Sequence, residues 1–354
     1  TRKKSIPCLW MQTQKYNCKR TENEMKRILA LVLTLLMSLS LVACGNAKDD
    51  TSDGAETDNY PEKPITVIVP FSAGGEHDLT ARTIATRLHD MFGWTVVIQN
   101  TSGDSAATIE YMKDSGNADG YTLFMHSPEV MASGFVSGQL NEDYYKQFTY
   151  LGCFVYDPLC ISVAADSPFN TIEELFAYAK EHPGELNWAA VGAGGFNQMN
   201  SENLWSVAGC EFNYVPYDDA SKSRAAVLGG HADVFCSFAS GAKSSISSGE
   251  LKALAVGSSE RLDFWPEVPT LKEVGCDLQV GLTRCWDIHP DTPQEIVDIL
   301  TEKLHECLND ADTQAKLLEM GQNPNWMTNE EMHEYGEYYY GVYQEIYARL
   351  HAND

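Results

Sequence analysis

From Pro61 onward, short runs rich in β-branched residues alternate with segments whose apolar residues recur at helical spacing. This alternation confines the chain to an α/β architecture in which mainly parallel strands are flanked by helices. Ile65-Thr66-Val67-Ile68-Val69 reads as the first strand. Residues 79–91 then place Ala81, Ile84, Ala85, Leu88 and Met91 on one helical face, and Gly93 closes that helix. Thr95-Val96-Val97-Ile98 and Tyr121-Thr122-Leu123-Phe124-Met125 give the second and third strands.

The same pattern restarts at Leu159-Cys160-Ile161-Ser162-Val163. Thr171 and Glu174 stand three apart as a capping box, and Pro183-Gly184 stops the helix they open. Leu186-Asn187-Trp188-Ala189-Ala190, a helix over 198–208, Tyr214-Val215-Pro216-Tyr217 and a helix closing at Gly229-Gly230 follow. Leu251-Lys252-Ala253-Leu254-Ala255-Val256 adds a strand, after which the pattern turns helical and acidic. Thr292-Pro293-Gln294-Glu295 and Thr328-Asn329-Glu330-Glu331 each read as a helix start. Tyr335, Tyr339, Tyr343 and Tyr347 are spaced four apart and read as a packed helix face. Two series of this kind imply two lobes, residues 61–157 with 281–354 forming one and 158–280 the other. Two crossing segments between them would form a hinge.

Ahead of the folded body, Met25-Lys26-Arg27 precedes an apolar run that ends in Leu41-Val42-Ala43-Cys44-Gly45. A basic flank, an apolar run and small residues before a Cys are the build of a signal peptide, and the last five residues resemble the bacterial lipobox. Residues 25–43 are therefore expected to be removed and Cys44 to be lipidated, leaving an extracytoplasmic protein attached to the cell membrane through its lipid alone. Residues 1–24 are expected to reflect an upstream translation start. The acidic, apolar-poor stretch 44–60 reads as a tether.

Eight of the 25 Lys and Arg and two of the 50 Asp and Glu fall in residues 1–43, which leaves 17 against 48 and a net charge of −31. Such a chain is a poor partner for nucleic acid. Beyond Cys8, Cys18 and Cys44 there remain Cys153, Cys160, Cys210, Cys236, Cys276, Cys285 and Cys307, without any C-x-x-C spacing. Buried free thiols are the expected state, and no metal site is expected. No G-x-S-x-G or H-E-x-x-H motif occurs.

Two turns carry the candidate chemistry. Pro70-Phe71-Ser72-Ala73-Gly74-Gly75-Glu76-His77-Asp78 lies between a strand and a helix, where backbone amides and roughly half a positive charge at the helix start receive an anion. Asp78 is expected to cap neighbouring amides and stiffen the turn. Val191-Gly192-Ala193-Gly194-Gly195-Phe196-Asn197-Gln198 holds the same place about 120 residues later. A cleft clamping a carboxylate between Ser72, Ala73, Gly74, Gly75 and Gly192, Ala193, Gly194, Gly195 follows. A dinucleotide enzyme is the rival reading of the second turn, but the residue five after Gly192 is Asn197, which breaks G-x-G-x-x-G.

Taken together, residues 60 to about 350 resemble the substrate-binding proteins of tripartite tricarboxylate transporters, the Bug family. The resemblance rests on Tyr60-Pro61-Glu62-Lys63-Pro64-Ile65, the first turn with Asp78, and Asp119-Gly120-Tyr121-Thr122-Leu123. Further matches are Val215-Pro216-Tyr217, Leu228-Gly229-Gly230-His231-Ala232-Asp233, Leu254-Ala255-Val256 and Val268-Pro269-Thr270 with Glu273 and Gly275. It implies a two-lobed type II periplasmic binding protein fold and a monomer that uses no cofactor and catalyses nothing. Such a protein passes a small carboxylate solute, of carboxylic acid or amino acid type, to integral membrane subunits. A solute sensor for a receptor kinase would have the same sequence features. The resemblance also brings Phe71, Gln198, Tyr217 and Cys236 into the candidate site. Gly195 and Gln198 stand where the family has a hydroxyl residue and a His, and Cys236 stands where it often has Asp. Glu76 has two open readings, a solvent-facing acid or the partner of an ammonium group on a zwitterionic solute.

Overall fold

A computed structural model describes residues 59–101 and 105–352. Residues 1–24, the segment 25–43, Cys44 and the tether up to residue 58 lie outside the described residues. The elements run β1 (Ile65–Val69), α1 (Glu76–Phe92), β2 (Val96–Asn100), α2 (Ser105–Met112), β3 (Thr122–His126), α3 (Pro128–Val136) and β4 (Thr149–Ala164). Then come α4 (Ile172–Glu181), β5 (Asn187–Val191), α5 (Phe196–Ala208), β6 (Asn213–Tyr217), α6 (Ala220–Leu228), β7 (Val234–Phe238), α7 (Ala239–Ser247) and β8 (Leu251–Val256). The chain closes with β9 (Gly281–Ile288), α8 (Gln294–Asn309), α9 (Ala311–Glu319), β10 (Asn323–Met327) and α10 (Asn329–Leu350).

One sheet path, β2-β1-β3-β9-β4-β7-β5-β6, runs through the molecule, with β8 and β10 also paired to β4. Two groups of strands are parallel, β2-β1-β3 and β7-β5-β6, all of them expected from the sequence except β7. Between them stand antiparallel β9 and β4, which the sequence reading did not foresee in this form: it placed only residues 159–163 of β4 and none of β9. The 16-residue β4 changes partners along its length. Thr149 to Pro158 face β9, while Leu159 to Ala164 face β7 and β8.

Each parallel group has its own apolar core. Val67, Ile84, Leu88, Trp286 and Leu300 gather under the first, and Leu159, Ile172, Trp188, Leu204 and Val234 under the second. Burial of each such side chain contributes about 1.5–3 kcal/mol. A third cluster joins Ile68 and Phe124 to Phe196 and Phe238 through Tyr339 and Tyr343 of α10. Tyr335, Tyr339 and Tyr343 therefore pack as a helix face, whereas Tyr347 lies outside that cluster and Tyr338 beside them is exposed. Both Thr171 and Thr328 form complete capping boxes, whereas α8 is preceded by Pro293 without a side-chain cap from Thr292. The architecture is a two-lobed type II periplasmic binding protein fold.

Candidate functional site

The first turn leaves β1 and enters α1 through Gly74, whose φ of 79° suits a residue without a Cβ. The Gly74 amide donates to Asp78 Oδ2 at 2.8 Å, and Gly75 N–H donates to the Ser72 carbonyl. Arg82 Nε donates to the same Asp78 oxygen at 2.9 Å, Arg82 Nη2 reaches Asn100 Oδ1, and Asn100 Nδ2 donates to the Phe71 carbonyl. Phe71 also stacks on His77 with ring centres 3.8 Å apart. The turn is thus tied down by the ring Asp78, Arg82 and Asn100, while Ser72, Ala73 and Gly74 remain exposed. Burial raises the Asp78 carboxyl, but hydrogen bonds from Arg82, the Gly74 amide and Asn100 outweigh it and hold the group below the usual range. Burial together with the Arg284 charge pushes His77 well down, which keeps it neutral near pH 7.

Loop two repeats the device with different chemistry. Gly194, at φ 72°, donates its amide to Gln198 Oε1 at 2.7 Å, four residues on, as Gly74 does to Asp78. Gly192 N–H donates to the Tyr217 carbonyl and Tyr214 OH donates to the Gly192 carbonyl. A cavity of about 360 Å³ opens beside the loop between Gly194, Gln198, Ser137, Gln139 and Tyr347. None of the first-turn residues lines it.

These contacts change which donors are available. Gly74, Gly75, Gly192 and Gly194, all expected to present amides to a solute, already spend them on protein acceptors. The first intrahelical donations are Leu79 N–H to Gly75 and Met199 N–H to Gly195. The amides of Glu76, His77 and Asp78 at the start of α1, and of Phe196, Asn197 and Gln198 at the start of α5, therefore have no acceptor one turn earlier. Phe196, at the start of α5, joins the cluster that also holds Ile68 of β1.

Cys236 is placed in an apolar setting. It is buried in β7 and packs with Trp188 and Leu204 in the second core, where burial raises its thiol far above the usual range. Tyr217 touches the second turn through its carbonyl, and its partly buried ring packs on the cluster holding Val227 and Phe235.

The sequence did not reveal a charged group beside the first turn. Arg284 of β9 and Asp157 of β4 are both fully buried, with Nη2 2.9 Å from Oδ2. Ser240, at the start of α7, donates its amide to Asp157 Oδ1 at 3.1 Å and its hydroxyl to Oδ2. Glu76, its side chain one-third exposed, reaches Arg284 Nη2 at 3.3 Å, a guanidinium partner within the chain that neither reading of the sequence included. Burial pushes the Glu76 carboxyl up, Arg284 opposes this, and the Asp157 charge reinforces it. Among the described residues no group of three His, Cys, Asp or Glu side chains is arranged to hold a metal ion. All seven cysteines there are unpaired, six buried and Cys210 half-buried.

With this geometry in place, comparison with known proteins is direct. Residues 80–337 match the tripartite tricarboxylate transporter family receptor model. A protein of the UPF0065 group from Cupriavidus necator is 29% identical, covering 73% of this chain and 77% of its own. A TctC solute binding protein from Polaromonas, solved without ligand, superimposes with a TM-score of 0.70 at 26% identity, over 82% of this chain and all of its own. An R. palustris protein solved with adipate gives a TM-score of 0.73 at 26% identity, over 82% of this chain and 98% of its own. The family's members are solute-binding proteins, and nothing in the site described above departs from that role. This chain belongs to the tripartite tricarboxylate transporter receptor family.

Proposed function

We propose that the protein is an extracytoplasmic lipoprotein, held by a lipid on Cys44, that captures a small carboxylate solute as a monomer. It would pass this carboxylic acid or amino acid to the integral membrane subunits of a tripartite tricarboxylate transporter. The observation that carries the reading is the pair of stiffened strand-to-helix turns. Asp78 and Gln198 fix the two glycine loops in place, and the helix starts behind them offer amides and dipole charge to an anion. Main-chain donors in a closed cleft act where distant charges are screened, so the acidic surface is no obstacle.

Lobe boundaries at 157/158 and 280/281 fit the point at which β4 changes partners, between Pro158 and Leu159, and the start of β9. The two crossings would then act as the hinge.

A thermal-shift screen of the protein against carboxylates, adipate included, tests the solute class, because a ligand at 100 times its Kd adds about 2.7 kcal/mol of stability. If no carboxylate moves the melting temperature, the reading fails. Metabolic labelling with a palmitate analogue tests the anchor, and label persisting in a Cys44→Ser variant would exclude it.

A further inference from the structure

Arg284 is fully buried, yet its Nε and Nη1 have no hydrogen-bond partner. A guanidinium carries five N–H donors in a planar fork suited to two carboxylate oxygens at once. Here only Nη2 is engaged, shared between Asp157 at 2.9 Å and Glu76 at 3.3 Å. Leaving desolvated donors unmade is costly, and an anion is the chemistry that satisfies them.

The two acids are not equivalent. Asp157 is wholly buried and takes both hydrogen bonds from Ser240, so with Arg284 it forms a closed neutral pair. Glu76 is the surplus charge. It lies on the first turn of α1, directly behind the exposed turn of residues 72–74, with its side chain one-third exposed. Its carboxylate rests against Gly241 of α7, where an added Cβ would come within 2.7 Å of Oε1 and 2.8 Å of Ser237 Oγ. The absence of a side chain at 241 makes room for a carboxylate between two serines, a helix start and a buried guanidinium.

We propose that Arg284, Ser237, Ser240 and the amino end of α7 form a second carboxylate subsite, which Glu76 fills from within until one end of a dicarboxylate solute displaces it. This deepens the proposed function and rests on its carboxylate reading: one carboxylate lies on the helix starts behind the glycine turns, the other on Arg284. Exchanging one carboxylate for another leaves the charge of the pocket unchanged, so displacement costs only the longer Glu76 contact, whereas a solute can use the idle part of the fork. An ammonium group at the same place would stand beside a guanidinium and be repelled.

Calorimetry on the protein with succinate, glutarate and adipate, each paired with butyrate, valerate and caproate, and with γ-aminobutyrate as the amine-ended probe, tests this. In the Glu76→Gln variant at least one dicarboxylate should bind about tenfold more tightly, while its one-ended counterpart changes less than about twofold. Arg284→Lys, which keeps the charge but not the fork, should weaken that dicarboxylate and cancel the gain in the double variant, with circular dichroism verifying the fold. A Glu76→Gln protein that binds dicarboxylates no more tightly, or gains equally for both classes, overturns the subsite. So does weaker γ-aminobutyrate binding in that variant, since it would make Glu76 an ammonium partner. If monocarboxylates bind and dicarboxylates bind no better, the subsite falls while the carboxylate function stands. If no probe binds any form, that function itself falls and takes the subsite with it.

Discussion

Arg284 and Asp157 meet across the neighbouring strands β9 and β4, 2.9 Å from Nη2 to Oδ2, with neither side chain exposed to solvent. Breaking such a pair from one side strands a buried charge. Arg284→Met should therefore lower stability by about 3–5 kcal/mol in urea unfolding, and adding Asp157→Asn should restore much of the loss. A double variant no more stable than the single one would show that the Asp157 charge is satisfied without Arg284.

The two glycine turns share a geometry but not a charge. Asp78→Ala removes an ionised acceptor and should cost about 1.5–3 kcal/mol, whereas Gln198→Ala removes a neutral one and should cost about 0.5–1.5 kcal/mol. Thermal melts of both variants check the difference. Equal losses would mean that the Asp78 charge and its contact to Arg82 add nothing.

Glu129, on α3, is fully buried and accepts from the Thr283 hydroxyl and amide. Burial raises its carboxyl from the usual 4.5 to about 7, against the pull of those hydrogen bonds and of Arg284. The folded protein therefore binds a proton that the unfolded chain releases. This stabilisation is fully present below about pH 4.5 and is lost as pH rises through about 7. His77 has the opposite sign, because its depressed value favours the fold above pH 6.5. The difference between wild type and Glu129→Gln cancels the His77 contribution, so wild type should lose stability relative to the variant between pH 5 and 8. Parallel stability curves across that range would refute the assignment.

Gly152 on β4 adopts φ 156°, and a Cβ there would overlap the Trp326 ring of β10. Gly152→Ala should destabilise by about 1–3 kcal/mol, with circular dichroism and a lowered melting temperature as the readout. A small shift would mean that β10 slides without cost.

What the sequence made legible was local. The first strand, the glycine that ends α1, and both threonine capping boxes depend on residues within a few positions of one another, so spacing sufficed. Strand β9 escaped because its partners, β3 and β4, lie far back in the chain, and because Arg284 and Asp287 interrupt its apolar run. The glycine turns were visible as turns. Which of their amides remain available was not, since that depends on where the side chains of Asp78 and Gln198 settle. Glu76 shows the same limit: its partner stands 208 positions later, on a strand the pattern did not disclose.

The interior placement of the thiols gives the molecule a built-in clock. Cys153, Cys160, Cys236, Cys276, Cys285 and Cys307 are all buried, so a thiol-reactive dye reaches them only during excursions that part the structure around them. Labelling rates, resolved cysteine by cysteine with mass spectrometry, would report how often each core breathes and how far an added solute quiets it, with no probe engineered into the chain.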